Sequence, residues 1–98
     1  METSATYDLN DELQLDRLAA ALNSTVRRKM LRLLGENSYS VLGLAETLNL
    51  SVSTTAFHLK FLKEANLIKV LPNPNKKGNE KIVTQGLANV QIDFRSPL

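Results

Sequence analysis

The spacing of apolar residues changes period once, dividing the chain into a helical part and a β part. Leu9, Leu13, Leu15, Leu18, Ala19 and Leu22 fall mostly at helical spacing, with Asn10 placed to cap the helix they predict. Asn23-Ser24 interrupts the run. Ser24 offers the cap for a second helix with Val26, Met30, Leu33 and Leu34 on one face and Arg27, Arg28 and Lys29 largely off it. Gly35 through Tyr39 ends that helix. Ser40 caps a short third helix built on Val41, Leu44, Ala45 and Leu48. In the connection Asn49-Leu50-Ser51, Asn49 tolerates left-handed backbone and Ser51 supplies the next cap. A fourth helix runs through Ala65 with Thr55, Leu59 and Leu62 inward, and Asn66 sits where a left-handed terminator belongs. Short helix, three-residue turn, longer helix is the helix-turn-helix pattern.

The β part begins at Leu67. Leu67-Ile68-Lys69-Val70-Leu71 predicts a strand, and the Pro, Asn, Lys and Gly cluster over 72–79 predicts a turn. Glu80-Lys81-Ile82-Val83-Thr84 returns as the second strand of a hairpin. Beyond Gly86, Val90, Ile92 and Phe94 alternate with Gln91 and Asp93, which predicts one more short strand. The expected fold is α+β, mainly helical: a winged helix-turn-helix of four helices followed by a β-hairpin wing and a further C-terminal strand. Residues 1–8 read as a disordered N-terminus and 9–98 as one domain.

Composition narrows the chemistry. The 98 residues are 43% hydrophobic and 22% charged, ordinary values for a globular domain. With 5% aromatic residues and no Trp, the core must rest on Leu, Val, Ile and Ala. The absence of Cys excludes disulfide frameworks, thiolate metal sites and cysteine nucleophiles. The acidic N-terminus lacks the basic and apolar regions of a signal peptide, and no apolar run approaches membrane-spanning length, so a cytoplasmic location is expected. The net charge of +2 hides an asymmetry. Glu2, Asp8, Asp11, Glu12 and Asp16 face one base, Arg17, before residue 26; the other bases lie beyond it. A basic body behind an acidic segment is compatible with a nucleic-acid partner, and also with an unevenly solvated surface.

The stretch LAAALNSTVRRKMLRLLGENSYSVLGLAETLNLSVSTTAFHLKFLKEANLIKV resembles the arsenic-repressor-type (ArsR) winged helix-turn-helix regulators. The likeness spans about residues 18–84. It is carried by the R-x-x-x-L-x-L-L run at Arg27–Leu34, the LAETLNLS turn and HLKFLKEANLI. The resemblance implies a bacterial, dimeric transcription factor that binds double-stranded DNA, with an unknown effector. The chain is then either a whole regulator or the N-terminal part of a longer one. The helix at about 51–65 would enter the major groove, and a basic wing at about 72–81 would lie on flanking backbone. Members of the family dimerise through the first helix and a terminal helix after the wing. Here the residues after Thr84 read as strand, which places the weight of a dimer on Leu13, Leu18 and Leu22 of the first helix.

An α-helix fits the major groove, where residues near its N-terminus reach base edges. The outward positions are Val52, Ser53, Thr54, Ala56, Phe57 and Lys60. Ser53 and Thr54 can bond phosphates or bases, whereas Val52, Ala56 and Phe57 offer only apolar contact. Phe57 can pack on the wing, touch a thymine methyl or meet a protein. Lys76, Lys77 and Lys81 make a basic wing, and Arg27 and Arg28 could reach phosphates beside the reading helix. A solvated helix face, with Arg32 pairing Glu36, is the competing reading for the cations of the second helix. His58, the sole histidine, is expected to be partly buried and hydrogen-bonded. One His without Cys builds no typical zinc site, and where the metal-sensing branch bears cysteine this chain has Ser40-Val41-Leu42-Gly43-Leu44. No phosphate-cradling loop, HExxH or nucleophilic triad spacing is present, so neither catalysis nor a cofactor is expected. A protein-docking module using the apolar face of the reading helix is the alternative function.

Overall fold

A computed structural model describes residues 3–74 and 80–95. Its order is β1 (Ser4–Asp8), α1 (Glu12–Leu22), α2 (Thr25–Leu34), β2 (Tyr39–Ser40), α3 (Val41–Leu48), α4 (Val52–Glu64), β3 (Ile68–Pro72), β4 (Lys81–Gln85) and β5 (Asn89–Asp93).

The punctuation of the helices follows local chemistry. Ser24, Ser40 and Ser51 each accept a backbone N–H of the first turn, from Arg27, Gly43 and Thr54 at 3.2, 2.9 and 3.0 Å. Each hydroxyl thereby satisfies a donor that the helix cannot. Asn49 and Asn66 hold φ of 55° and 61°, the left-handed geometry that ends α3 and the turn after α4. Leu50 and Leu67 then donate back to Ala45 and Leu62 carbonyls at 2.9 and 3.0 Å.

The first helix departs from expectation. It starts at Glu12 rather than Leu9, and its N-cap is Asp11, whose side chain makes no cap bond. Asn10 serves a turn instead: its N–H donates to Asp8 Oδ1 at 2.7 Å, while the Asp8 N–H donates to Asp11 Oδ2 at 2.9 Å. Those bonds turn the chain out of a strand, because Ser4–Asp8, in the segment read as disordered, forms β1. It pairs in parallel with β5, Ala5 beside Val90 and Tyr7 beside Ile92. Local pattern could not supply this partner, which lies more than eighty residues away.

The second sheet is antiparallel in the order β2-β4-β3. The hairpin places Val70 opposite Val83 and Pro72 opposite Lys81, and the two-residue β2 adds Tyr39 beside Val83. Thr55, Leu59 and Leu62 are buried, as their stripe predicts, with Leu18, Ala21, Met30, Leu34, Leu44, Ile68 and Val83. Among the described residues that core contains no aromatic side chain, so close packing rests on branched aliphatics, alanines and one methionine. Gly86 marks the exit from the body. A Cβ there would lie 2.6 Å from the Asn66 carbonyl oxygen, so only Gly lets the strand cross this turn. Its N–H donates to Leu67 O at 2.8 Å, and its carbonyl accepts the Thr3 hydroxyl.

Candidate nucleic-acid interface

The outward face of α4 is built by what the helix buries. Thr55, Leu59 and Leu62 turn into the core, which leaves Val52, Ser53, Thr54, Ala56, Phe57 and Lys60 exposed on the other side. At the N-terminus, Ser51 Oγ bonds the side chains of Ser53 and Thr54 at 3.2 and 2.9 Å. This exposed knot of hydroxyls sits where the helix presents unpaired N–H groups and partial positive charge, a favourable place for a phosphate oxygen. Phe57 does not pack away as satellite core: 57% of it is exposed, with its ring edge-on to His58 and Phe61 at 5.4 and 5.2 Å between centroids. Val52, 50% exposed, adds a second apolar group.

The basic residues separate into three kinds. Arg27 is buried, contrary to its placement among phosphate contacts. Its Nε donates to Ala21 O at 3.1 Å, one terminal nitrogen to Ala20 O at 2.7 Å, and the other to His58 Nδ1 at 2.9 Å. The guanidinium also lies 4.4 Å from the centre of the Phe61 ring. With every nitrogen committed to α1 or α4, this arginine joins helices. Arg28 is exposed but bridges the end of α1, donating to Leu22 O at 2.7 Å and Thr25 Oγ1 at 3.4 Å. Lys60 and Lys81 stand free in solvent on α4 and β4. Lys76 and Lys77 lie outside the described residues.

The Arg32–Glu36 pair anticipated for α2 does not form; among the described residues the one ion pair is Arg95–Asp93 at 2.8 Å. Arg32 and Lys29 instead line a cleft with Thr47, Leu48 and Asn49, beside the turn that leads into α4. Sequence reasoning missed Lys63. With Lys60, Ala56, Val41 and Val70 it lines a groove of about 270 Å³ between α4 and the wing. The spacing of Lys60 and Lys63, three residues apart on one helix, was the available signal.

His58 is half-buried and hydrogen-bonded, as its position predicts. Arginine can only donate, so His58 Nδ1 accepts and the ring is neutral with its proton on Nε2. Burial, then the neighbouring Arg27 charge, holds its pKa below the ordinary 6.5. Among the described residues no three metal-ligating side chains gather, and no helix is long and apolar enough to cross a membrane.

Residues 24–70 match the family model described as "Bacterial regulatory protein, arsR family". No curated protein sequence matches the chain. Among solved structures, HlyU from Vibrio cholerae superposes with a TM-score of 0.66 at 24% identity, over 82% of this chain and 83% of that one. A homodimeric winged helix-turn-helix DNA-binding domain from Mycobacterium bovis gives 0.62 at 22% identity, over 74% and 63%. NolR from Sinorhizobium fredii gives 0.61 at 21%, over 74% and 68%. At these identities the likeness is one of fold. The matched segment runs from the α2 cap through α4 into β3, the same residues that build the exposed face. The chain therefore has the winged helix-turn-helix fold, and its residues 24–70 are similar to the ArsR family.

Proposed function

We propose that the protein is a bacterial transcriptional regulator that binds double-stranded DNA as a homodimer, with α4 in the major groove and the wing on flanking backbone. One observation carries this reading. Val52, Ser53, Thr54, Ala56 and Phe57 of α4 are exposed, with the Ser51, Ser53 and Thr54 hydroxyls clustered at the helix start and Lys60 exposed one turn further on. The family match over 24–70 and the fold shared with a homodimeric DNA-binding domain support it. Nothing in the reading calls for catalysis or a cofactor, and it fits a protein of the cytoplasm.

The cations that would meet phosphates are Arg28, Lys60, Lys81 and the wing residues Lys76 and Lys77, with Lys29, Arg32 and Lys63 beside them. Arg27 leaves that set, because its guanidinium is buried. Val52, Ala56 and Phe57 supply shape and methyl contact rather than hydrogen-bonded readout. Affinity then leans on phosphate contacts and must fall steeply with salt.

The exposed Phe57 and Val52 favour one second reading, an α4 face that docks a protein. Fluorescence anisotropy with random duplex DNA at rising salt separates the two. Binding at about 50 mM salt that weakens log-linearly as salt rises supports the DNA reading. A folded protein that ignores duplex at that salt overturns it.

A further inference from the structure

The outward face of α4 lacks the side chains that read bases through paired hydrogen bonds. Residues 52–60 include no Arg, Asn, Gln, Asp or Glu. Neither the bidentate contacts to guanine and adenine nor the carboxylate contact to cytosine can form there. The hydroxyls at the helix start are engaged with one another. Ser51 Oγ accepts the Thr54 N–H at 3.0 Å, donates to Thr54 Oγ1 at 2.9 Å and lies 3.2 Å from Ser53 Oγ. His58 commits its Nδ1 to Arg27. What the face does present is an aromatic ring. Ser53, Phe57 and Lys60 follow one another about a turn apart along one side of α4, and Phe57 stands between the other two with 57% of it exposed.

That ring is held from beneath. Phe57 meets Phe61 edge to face, 5.2 Å between centroids and 75° between planes. Phe61 is half-buried and has the Arg27 guanidinium 4.4 Å from its centre. Arg27 is fixed in turn by Ala20 O, Ala21 O and His58 Nδ1. The His58 ring closes the cluster, 5.4 Å from Phe57 and at 73° to it. An exposed apolar group ordered before its partner arrives loses less freedom on binding.

In the major groove one base-edge group is apolar, the C5 methyl of thymine. 5-Methylcytosine carries the same group at the same ring position. We propose that Phe57 is the specificity-determining residue of α4 and reads a pyrimidine 5-methyl group, with Phe61 as the residue that positions it. The inference rests on the DNA-binding reading above and adds to it the chemical group that is recognised. Lys60 and the other cations then set how tightly any duplex is held, and Phe57 sets which duplex is preferred. Withdrawing one methyl group from water corresponds to about fourfold in affinity. Two identical half-sites in a dimer raise that to roughly fifteenfold.

The test is fluorescence anisotropy on the full chain, at one salt concentration, with two pairs of duplexes about three helical turns long. The first pair is alternating dA-dT and its counterpart with dU for dT. The second is alternating dG-dC and its counterpart with 5-methyl-dC for dC. The affinity ratio within each pair is the readout. The wild type should bind the methylated member of at least one pair about fourfold or more tightly, and the pair that responds identifies the source of the methyl. Phe57→Ala, at an exposed position, should bring the ratio to about one. Phe61→Leu should lower it part-way, with the far-ultraviolet circular dichroism unchanged. Lys60→Gln is the control, weakening all the duplexes alike and keeping the ratio. Equal binding within both pairs overturns the proposal. So does a preference that survives Phe57→Ala, which would belong to duplex shape. A ratio that Phe61→Leu leaves unmoved overturns the positioning role. A folded protein that binds none of these duplexes overturns the DNA-binding reading itself, a result distinct from equal binding to all of them.

Discussion

The two sheets of this protein are made of similar residues and live in different surroundings. In β2-β4-β3, Ile68 and Val83 are buried against the helices, and each strand's inward face meets the aliphatic core. In β1–β5, Val90 and Ile92 alternate just as regularly but remain half-buried. Strand character is therefore a local property, whereas stability depends on what lies over the strand. The antiparallel sheet belongs to the cooperative body that presents α4, and the parallel ribbon is an arm hung on it through Thr3 and Gly86.

The largest effect should come from opening the body. Leu62→Ala removes a side chain with 0% exposure and should cost about 2–5 kcal/mol in urea denaturation. Ile92→Ala in the ribbon should cost under about 1.5 kcal/mol, since less area leaves contact. Equal losses would abolish the distinction between body and arm.

Arg27→Met is next. It strips donors from Ala20 O, Ala21 O and His58 Nδ1 and should destabilise the fold by about 1–3 kcal/mol. If it instead leaves stability intact and flattens the salt dependence of DNA binding, Arg27 is a phosphate contact after all.

Gly86→Ala probes the hinge between the two regions. The new Cβ would meet backbone at 2.6 and 3.0 Å, and backbone cannot swing aside, so a loss of about 1–3 kcal/mol is expected. An unchanged melting temperature would show that the crossing is looser than the contacts imply.

The pH dependence is smaller and has a definite sign. The folded state holds the His58 pKa below 6.5, so the unfolded chain takes up the proton first. Stability is therefore level above that value and declines as pH falls through it toward the folded pKa. Urea titrations from pH 8 to 5 should show the decline in the wild type and lose the His58 share of it in His58→Gln. Smallest for stability is Lys60→Gln, expected within about 0.5 kcal/mol of wild type while reducing the salt slope of DNA binding by roughly 0.9. A slope that does not move takes Lys60 out of the interface.

Much of this architecture was legible beforehand because its determinants are short-range. Serine caps, two left-handed asparagines and the Thr55–Leu59–Leu62 stripe act within a few residues of the structure they specify. The same stripe fixed which side of α4 faces outward, so its exposed residues could be named. Arg27 was misplaced for the opposite reason. Helical spacing reports a direction, and a long side chain can reach neighbours that only docking of α1 and α4 supplies. Phe57 was open in the sequence between packing, base contact and protein contact, and exposure removed only the first. Lys76 and Lys77 are as the sequence left them.

By itself, then, the sequence determined the helix-turn-helix, the hairpin, the absence of thiol chemistry and the outward set on α4, since each depends on local periodicity, capping or composition. Tertiary structure alone decided that residues 4–8 are a strand, that Arg27 ties helices together, and that β5 packs Val90 and Ile92 on the edge of the core while pairing with β1. Those outcomes turn on which distant segments meet, and no local pattern encodes a partner more than eighty residues away.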